Sequence, residues 1–442
     1  MKNNFLMSTV LFIAAMLLFA CQNPTGTDKT YTVTYHLNGA TGGNVPSDPS
    51  AYAEKSSVTI LGNPGSLVKD GYPFFVGWNT KADGSGSLYR EGESLLMPGS
   101  DLTLYADFIN VSKLLSSDGA AGDIFGVSVA VSGDYAIVGA SGEDISTNSG
   151  QGAAYVFMRT GTNTWDAGTK IVAPGGAAGD RFGCSVAISG DCAIVGASWA
   201  DISTNSDQGA AYVFRRTGTN NWDAGTKIVA SDGAANDRFG ESVAVSGDCA
   251  IVGAFWADIS TNSDQGAAYV FRRTGTNTWD AGTKITASDG SANYDFGTSV
   301  AVSGDYAIVG ASGADISGPD KGAAYVFRRT GTNTWDGGTK IVASDGTGRD
   351  YFGDSVAVSG NYAIVGAPGA LISENQGAAY VFRRTGTNTW DAGTKITASD
   401  GAANDWFGDS VAISGDYAIV GANHAAISGN TNQGAAYIKY VK

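Results

Sequence analysis

Six copies of one unit make up the C-terminal part of this chain of 442 residues. Each copy opens with a Phe-Gly dipeptide, at intervals of 55 to 57 residues, whose Phe residues are Phe125, Phe182, Phe239, Phe296, Phe352 and Phe407. A Gly-Ala step follows each Phe after 14 residues, and only the loop between that step and a later Gly-Ala-Ala-Tyr run changes in length. Internal repeats of this size are typical of solenoids and propellers, and the variable loop is expected to lie outside the packed framework.

Each copy, called a repeat below, predicts four short strands and no helix. In the second repeat the strand-like runs cover 185–189, 192–197, 210–214 and 226–230. The first two runs alternate small and branched apolar residues and have no polar face, so neighbouring sheets are expected to cover them on both sides. The sequence therefore predicts an all-β fold, a six-bladed β-propeller of four-stranded blades.

The two ends of the repeat region predict how this ring closes. The sixth repeat ends after its third strand, at 435–440, whereas residues 112–119 match the fourth-strand run 226–233 of the second repeat. We therefore expect the N-terminal segment to supply the missing strand of the last blade. Closing the ring in this way would remove the open sheet edges.

The repeats resemble the FG-GAP repeat of integrin α-subunit propellers, in the bacterial variant that reads FGxSVAVSGDYAIVGA followed by GAAYVF. One matching stretch is FGDSVAVSGNYAIVGAP at 352–368, and the resemblance covers residues 111–442. It implies adhesion or partner binding. The calcium loops of integrins (DxDxDG) have no counterpart before the second strand, where this chain has a tight turn such as Ser246-Gly-Asp248. Calcium sites of the integrin kind are therefore not expected.

The N-terminus predicts an export signal. Residues 1–21 contain Lys2 and then an uncharged stretch from 5 to 19, about the length of a signal-peptide core. The stretch ends in Leu-Phe-Ala-Cys, which resembles the lipobox of bacterial lipoproteins and implies lipidation of Cys21. The alternative is a plain secretory signal followed by an incidental Cys. Residues 22–29 are polar and are expected to form a tether, which places the protein in the cell envelope, exposed outside the cytoplasm.

Residues 30–109 predict a separate small β module. Tyr31 to Leu37 alternate with period two and end at an Asn-Gly turn, and later apolar runs read FFVGW and LTLYADF. The module resembles the Listeria–Bacteroides repeat of internalin B-repeat type, on the runs VTYHLNGATGGNVP, GYPFFVGWNTKADGSG and DLTLYADF. That resemblance implies a β-grasp-like spacer of bacterial surface proteins. Trp78 is expected to be its core aromatic residue.

Charge and residue types exclude several function classes. The net charge of −15 argues against a nucleic-acid partner, which requires a basic surface. Two His and four Cys leave little material for zinc clusters or for a disulfide scaffold. The repeat region has few Glu or His candidates for acid–base chemistry, so we expect no enzyme activity. The alternative is a sialidase-like propeller glycosidase, since 217–222 ends in Trp where sialidases carry a conserved turn.

Aromatic residues in loops are the candidate ligand contacts. In a propeller, the loops between second and third strands share one face with the connections between blades. That face should carry Trp199, Trp256, Trp406 and His424. Exposed aromatic side chains serve as contact anchors or sugar-stacking platforms, and the alternative is that each packs within its own loop. Five other Trp residues recur with the framework before the fourth strand and are expected to pack between blades.

Two of the variable loops are weak candidates for calcium. Their oxygen-bearing side chains alternate at the 1, 3, 5, 7 spacing of a calcium loop and are Asp201, Ser203, Asn205, Asp207, Asp258, Ser260, Asn262 and Asp264. No bidentate Glu follows them, so turn hydrogen bonding is the alternative explanation. The expected partner is an extracellular protein or glycan, with the membrane reached only through the lipid anchor. We expect a monomer whose thiols Cys184, Cys192 and Cys249 are free and buried.

Overall fold

A computed structural model describes residues 29–70, 72, 74–109, 113–161, 164–315, 318–371, 376–427 and 431–441. The chain divides into two compact units, Met1–Ser112 and Lys113–Lys442. Cys21, the predicted signal peptide and nearly all of the predicted tether lie outside the described residues. Within the described ranges, no helix has the length and apolar character needed to cross a membrane.

The N-terminal module consists of ten short strands in its described part. They are β1 (Thr30–Tyr31), β2 (Val33–His36), β3 (Gly42–Asn44), β4 (Tyr52–Ala53), β5 (Ser57–Thr59), β6 (Gly65–Val68), β7 (Phe74–Asn79), β8 (Leu88–Tyr89), β9 (Ser94–Leu96) and β10 (Leu102–Ile109). The main sheet has the order β2-β10-β7-β8, in which β2 and β10 are parallel. The other strands form two-stranded ribbons. Trp78 is buried in the core, as predicted, and lies 4.6 Å from Tyr35 between ring centroids.

The first three repeats form three consecutive antiparallel sheets. Their strands are β11 (Phe125–Ser132), β12 (Tyr135–Ala140), β13 (Ala153–Gly161), β14 (Thr164–Trp165), β15 (Thr169–Ile171), β16 (Val186–Ser189), β17 (Cys192–Ala197), β18 (Ala210–Arg215), β19 (Thr226–Ile228), β20 (Val243–Ser246), β21 (Cys249–Ala254), β22 (Ala267–Arg272) and β23 (Thr283–Ile285). In each sheet the strands pair in chain order, and in the first sheet both β14 and β15 pair with β13. The predicted strands of the second repeat are confirmed to within two residues.

The last three repeats continue the same pattern. Their strands are β24 (Phe296–Ser303), β25 (Tyr306–Ala311), β26 (Ala323–Arg328), β27 (Thr339–Ile341), β28 (Val356–Ser359), β29 (Tyr362–Ala367), β30 (Ala378–Arg383), β31 (Thr394–Ile396), β32 (Phe407–Ser414), β33 (Tyr417–Ala422) and β34 (Ala435–Tyr440). The fourth and fifth repeats each form a four-stranded sheet, and the sixth forms a three-stranded one.

Consecutive sheets pack face to face through one recurring interface. Between the first and second repeats, the buried core joins Ile137 and Val156 of one sheet to Val186 and Val195 of the next. The second strands are buried along their whole length in the second and third repeats, as their apolar composition predicts. The Phe that opens each repeat from the second to the sixth inserts here. Phe239, for example, lies edge-on to Tyr269 at 5.5 Å between ring centroids.

The predicted Trp and Cys roles within this framework are largely confirmed, with Trp165 and Cys184 as the exceptions. Four of the framework Trp residues pack against cores that join two sheets and are Trp222, Trp279, Trp335 and Trp390, whereas Trp165 packs against the core of the first repeat alone. All three described cysteines are free. Cys192 and Cys249 are buried, and Cys184 is only partly buried because it lies near the end of its strand run.

The two ends of the array differ from the predicted closed ring. The described sixth sheet has three strands, and residues 113–116 form no strand. Leu114 instead packs against the first repeat, and Asp118 accepts a hydrogen bond from Tyr155 of that repeat at 2.6 Å. Within the described residues the predicted fourth strand of the last blade is therefore not formed, because residues 113–118 lie against the first repeat, which comes after them in the chain.

Both end sheets expose apolar faces that are buried in every internal repeat. On the first repeat Val129 is 66% exposed, whereas its counterpart Val186 is 6% exposed. On the sixth repeat Ile438 is 73% exposed, whereas its counterpart Val381 is 7% exposed. The two faces are the unpaired halves of the interface that joins all consecutive repeats.

Candidate functional site

The variable loops and the connections between repeats lie at the same edge of the sheets, as predicted. In the second repeat the side-chain amide of Asn205 donates to the carbonyl oxygen of Gly233, in the connection to the third repeat, at 3.1 Å. The backbone N–H of Asn236 in that connection donates to the carbonyl oxygen of Ser206 at 2.9 Å. This edge is therefore formed jointly by the two kinds of loop.

Two sequence positions at this edge meet in space within each repeat. One is the residue before the Phe-Gly dipeptide, and the other is the third residue after the glycine of the Gly-Ala step. We call the resulting couples the variable pairs; they are Ile124/Gly142, Arg181/Trp199, Arg238/Trp256, Asp295/Gly313, Tyr351/Gly369 and Trp406/His424. Within repeats that are otherwise nearly identical, the side chains at these two positions change from copy to copy.

The first member of every variable pair has a left-handed backbone conformation. Its φ lies between 53° and 58° in all six repeats, although none of the six residues is glycine. Such a conformation costs a non-glycine residue free energy and persists only where the surrounding structure imposes it. Because the same backbone conformation recurs in each repeat, the framework presents five kinds of side chain, with Arg twice, from one backbone geometry.

The second member is a glycine in three repeats and an aromatic residue in the other three. At Gly369 an added Cβ atom would overlap the carbonyl oxygen of Arg349 and would lie 2.9 Å from the Tyr351 ring; at Gly313 the nearest atom is likewise a backbone carbonyl oxygen. In the second, third and sixth repeats a flat ring stacks on the first member instead. The stacked rings belong to Trp199, Trp256 and His424.

The second and third variable pairs join into one stack across two repeats. The guanidinium carbon of Arg238 lies 3.6 Å from the ring centroid of Trp199 and 5.3 Å from that of Trp256. Arg181 lies 4.2 Å from the same centroid of Trp199. Cation–π contacts of this kind contribute about 0.5–2 kcal/mol each, with the larger values at desolvated sites. Arg238 is buried and pairs with Asp207 at 3.2 Å, and its Nη1 has no hydrogen-bond partner among the described residues.

The sixth variable pair forms a second aromatic cluster. The rings of Trp406 and His424 lie 4.3 Å apart between centroids, at 37° to one another. Burial raises the pKa of the nearby Asp409 carboxyl, and the His424 ring acts in the opposite direction. The four predicted contact residues are thus divided between two clusters, with Trp199 and Trp256 in one and Trp406 and His424 in the other.

The sequence interpretation missed Arg181 and Arg238, which hold the Trp rings in place. A signal for them exists in the sequence. The residue before Phe-Gly is Ile, Arg, Arg, Asp, Tyr or Trp, whereas Phe-Gly itself and the Ser-Val-Ala run that begins two residues after its glycine are constant; the residue between them also varies. The variation alone does not show that the residue before Phe-Gly contacts a Trp ring. Only the folded structure places that residue beside Trp199.

The calcium candidates form turns in the structure. The Asp201 carboxylate accepts the backbone N–H of Asp207 at 2.9 Å, and Asn205 donates its amide to Gln208 at 2.9 Å. In the next repeat the Asp258 carboxylate accepts the N–H of Asp264 at 3.0 Å. Ser203 and Ser260 are the corresponding turn residues, with φ values of 58° and 57°. Across the described ranges, no three His, Cys, Asp or Glu side chains converge as metal ligands. Calcium binding here stays a prediction, and the observed hydrogen bonds are those of the turn alternative.

A family model for the FG-GAP repeat matches six segments of the chain, 108–157, 165–214, 222–271, 279–327, 335–382 and 390–439. These segments cover more than half of its length. The chain belongs to the FG-GAP repeat family. A second model, for the Listeria-Bacteroides repeat domain, matches residues 31–107. The resemblances to the FG-GAP repeat and to the Listeria–Bacteroides repeat are therefore confirmed.

Two curated relatives come from Evansella cellulosilytica. One, named "Putative membrane protein", is 37% identical over 101 residues, which cover 22% of this chain and 15% of the relative. The other, named "Putative Gly-rich membrane protein", is 36% identical over 85 residues, which cover 18% of this chain and 10% of the relative. This chain thus spans only a small part of the length of either relative.

Proposed function

We propose that this FG-GAP protein is a surface interaction module that binds an extracellular protein or glycan through its variable pairs. The observation that carries the proposal is the concentration of changing side chains at one edge of a constant framework. Ile124, Trp199, Trp256, Tyr351 and Trp406 are all exposed there. Trp, Tyr and Arg are the residue types that dominate binding energy at interfaces, and exposed apolar groups of this kind mark interaction surfaces.

Adhesion at the cell envelope is the role that fits this binding. The proposal has three supports: membership of the FG-GAP family, the lipobox-like run that ends at Cys21, and the membrane-protein names of the relatives. Cys21 would carry the lipid and the rest of the chain would extend outside the cytoplasm. Cys21→Ala expressed in a bacterial host should release the protein from the membrane fraction, and a C21A protein that stays in the membrane fraction would contradict the lipid anchor.

A capture experiment tests the binding proposal. The purified chain is applied to an array of glycans and matrix proteins, with and without calcium, and then compared with the double variant Trp199→Ala/Trp256→Ala. A buried interface aromatic contributes about 2 kcal/mol, so loss of one or both contacts should weaken binding by about 30-fold to about 1000-fold. Arg383→Ala, at the opposite end of the third strand of its repeat, is the matched control and should leave capture unchanged.

Equal capture by the double variant and the wild type would show that the ligand does not bind at these pairs. The proposed role is binding without turnover, so a panel of fluorogenic glycosides should stay uncleaved. Cleavage of any one of them would favour the glycosidase alternative.

We also propose that the two exposed end faces pair with each other within one chain, which gives a closed six-bladed propeller and a monomer. The faces are halves of the same interface, and burying them removes apolar surface from water. The effect of substituting Gly126 can show whether the ring is closed. Its φ is 98° and an added Cβ atom would meet nothing within 4 Å, whereas the same change at the internal Gly240 would overlap the backbone of the preceding repeat.

If the ends pair, Gly126→Ala should destabilise the protein as much as Gly240→Ala does, and light scattering should give a monomer mass at every concentration. If G126A destabilises the protein much less than G240A does, and the mass grows with concentration, a second copy covers the end faces.

A further inference from the structure

In four of the six repeats a Tyr–Asp–Lys contact links the repeat to the segment that precedes it. In the third repeat the Tyr269 hydroxyl donates to Asp232 at 2.8 Å, and the Lys284 ammonium donates to the other oxygen of the same carboxylate at 2.9 Å. The fourth and fifth repeats have the same contact through Asp289 and Asp345. In the first repeat Asp118 has this role. Each of these carboxylates is thus held by a buried hydroxyl and a cation.

The second repeat keeps both donors and lacks the carboxylate. Tyr212 and Lys227 occupy the two donor positions, but the residue equivalent to Asp232 is Gly175. The Lys227 Nζ lies 5.7 Å from the Tyr212 ring centroid, within the 5.5 to 5.8 Å found in the four repeats that hold an aspartate. The donors are therefore in the same arrangement with the acceptor missing.

Nothing else in the described part of the chain takes the place of that carboxylate. Tyr212 is fully buried, and its hydroxyl has no hydrogen-bond partner among the described residues. The acid whose charge acts on Tyr212 is Asp180, whose Oδ2 accepts the backbone N–H of Ala177 at 2.8 Å. Asp237 makes the equivalent bond to Ala234, at 2.8 Å, beside the occupied position in the third repeat. Asp180 is therefore a framework residue, and an additional carboxylate can be accommodated beside it.

The connection at this point has a different turn. The Ser-Asp-Gly of the other connections reads Pro174-Gly175-Gly176 here, and Gly175 has a φ of 70°. Pro followed by a residue of positive φ is the pattern of a type II turn. Gly175 and Lys227 are exposed, and an added Cβ atom on Gly175 would meet nothing within 4 Å, whereas the Tyr212 hydroxyl is covered. A ligand carboxylate would therefore meet Lys227 first and reach the hydroxyl only by displacing this turn.

We propose that Tyr212 and Lys227 form a binding site for a ligand carboxylate, which takes the place that an aspartate side chain occupies in the other repeats. The expected contacts are a hydrogen bond from the Tyr212 hydroxyl to one carboxylate oxygen and an ion pair between Lys227 and the other. A buried hydroxyl without a partner costs free energy that a bound acceptor recovers, and a bond to a charged acceptor is stronger than a neutral one.

The test uses ¹³C-labelled acetate as the probe and the full chain. Saturable broadening of the acetate signal is expected for the wild type, with chloride at equal ionic strength as the reference. The double variant Tyr212→Phe/Lys227→Met should lose the broadening. Tyr269→Phe is the matched control, because Asp232 already fills the equivalent site in the third repeat, and it should bind acetate as the wild type does.

Two exchanges of the connection extend the test in opposite directions. Pro174→Ser/Gly175→Asp restores the sequence of the other repeats and should abolish acetate binding, because the new side chain fills the site. Ser231→Pro/Asp232→Gly copies the second repeat into the third and should double the amount of acetate bound at saturation. Wild-type protein that shows no saturable binding, or equal binding by Y212F/K227M, would overturn the proposal and leave the site to water.

A sugar acid offers the same group in a larger ligand. Galacturonate is therefore titrated in parallel. Tighter binding than acetate would assign the site to a uronic acid, and equal binding would assign it to the carboxylate alone. Both outcomes support the carboxylate site. The site stands independently of the variable pairs, so W199A/W256A should leave acetate binding unchanged.

Discussion

The glycine of the Phe-Gly dipeptide offers the sharpest test of how the repeats pack. Gly240 has a φ of 100°, and an added Cβ atom would overlap the carbonyl oxygen of Ala210 and come within 3.2 Å of the backbone nitrogen of Ala197. Both of those residues belong to the preceding repeat. Gly240→Ala therefore has two effects: it strains a backbone of positive φ, and it forces an extra carbon between two closely packed sheets.

The expected cost has two parts. A non-glycine residue in a sparsely populated region of positive φ costs about 1–3 kcal/mol. Forcing an extra carbon into a packed interface costs about 1–3 kcal/mol more. The matched control is Gly247→Ala, in a hairpin turn with a φ of 61°, where an added Cβ atom meets nothing within 4 Å. There only the cost of the left-handed backbone applies, about 1 kcal/mol.

Urea unfolding of both variants, followed by circular dichroism and by Trp fluorescence, measures the difference. The free energy of unfolding of G240A should lie about 2–4 kcal/mol below that of G247A, with similar slopes against urea. Two variants equal to within about 0.5 kcal/mol would refute the close approach of the sheets at the Phe-Gly position.

Three further predictions follow from the buried polar groups. The double variant P174S/G175D should raise the free energy of unfolding by about 1–3 kcal/mol in a urea titration, because the Tyr212 hydroxyl gains a charged acceptor; no gain would contradict the assignment. Burial raises the pKa of Asp354 to about 6, with Asp409 adding to the effect. The folded state therefore binds a proton that the unfolded state has lost, and stability decreases as pH rises from about 4 to about 6. Asp354→Asn should flatten that decrease in a pH series of thermal melts, and an unchanged slope would count against it. Burial also raises the pKa of Cys192 and Cys249 to about 12, so a thiol reagent should label both only after unfolding; labelling of the native protein would show that they are accessible.

Much of the repeat fold follows from local pattern. The strand from Cys192 to Ala197 is predicted to the residue, because its unbroken apolar run can only be a strand covered on both faces. The shared edge of variable loops and connections also follows, since antiparallel strands in chain order place alternate loops at the same end. The framework role of Trp222 follows from its recurrence at the same point in five repeats.

The contacts of the candidate site do not follow from pattern. Arg238 and Trp199 lie in different repeats, and their stack exists only because the sheets pack at the Phe-Gly positions. The Tyr212 hydroxyl without a hydrogen-bond partner cannot be recognised from the sequence pattern either. The position that holds an aspartate in the other repeats lies 37 residues earlier in the chain, in a connection. Such contacts depend on the alignment of one sheet against the next, which no periodicity within a repeat reveals.

The sequence by itself determined the number of repeats, their strands and the constant framework, because each repeat carries the whole set of turn glycines and apolar runs that one sheet needs. Only the tertiary structure decided which variable residues meet, and it left Val129 and Ile438 exposed at the two ends. The physical reason is that an internal sheet obtains its neighbours from the repeats before and after it. Among the described residues the first and last sheets each have a neighbour on one side only, and the pattern within a repeat does not specify what covers the other side.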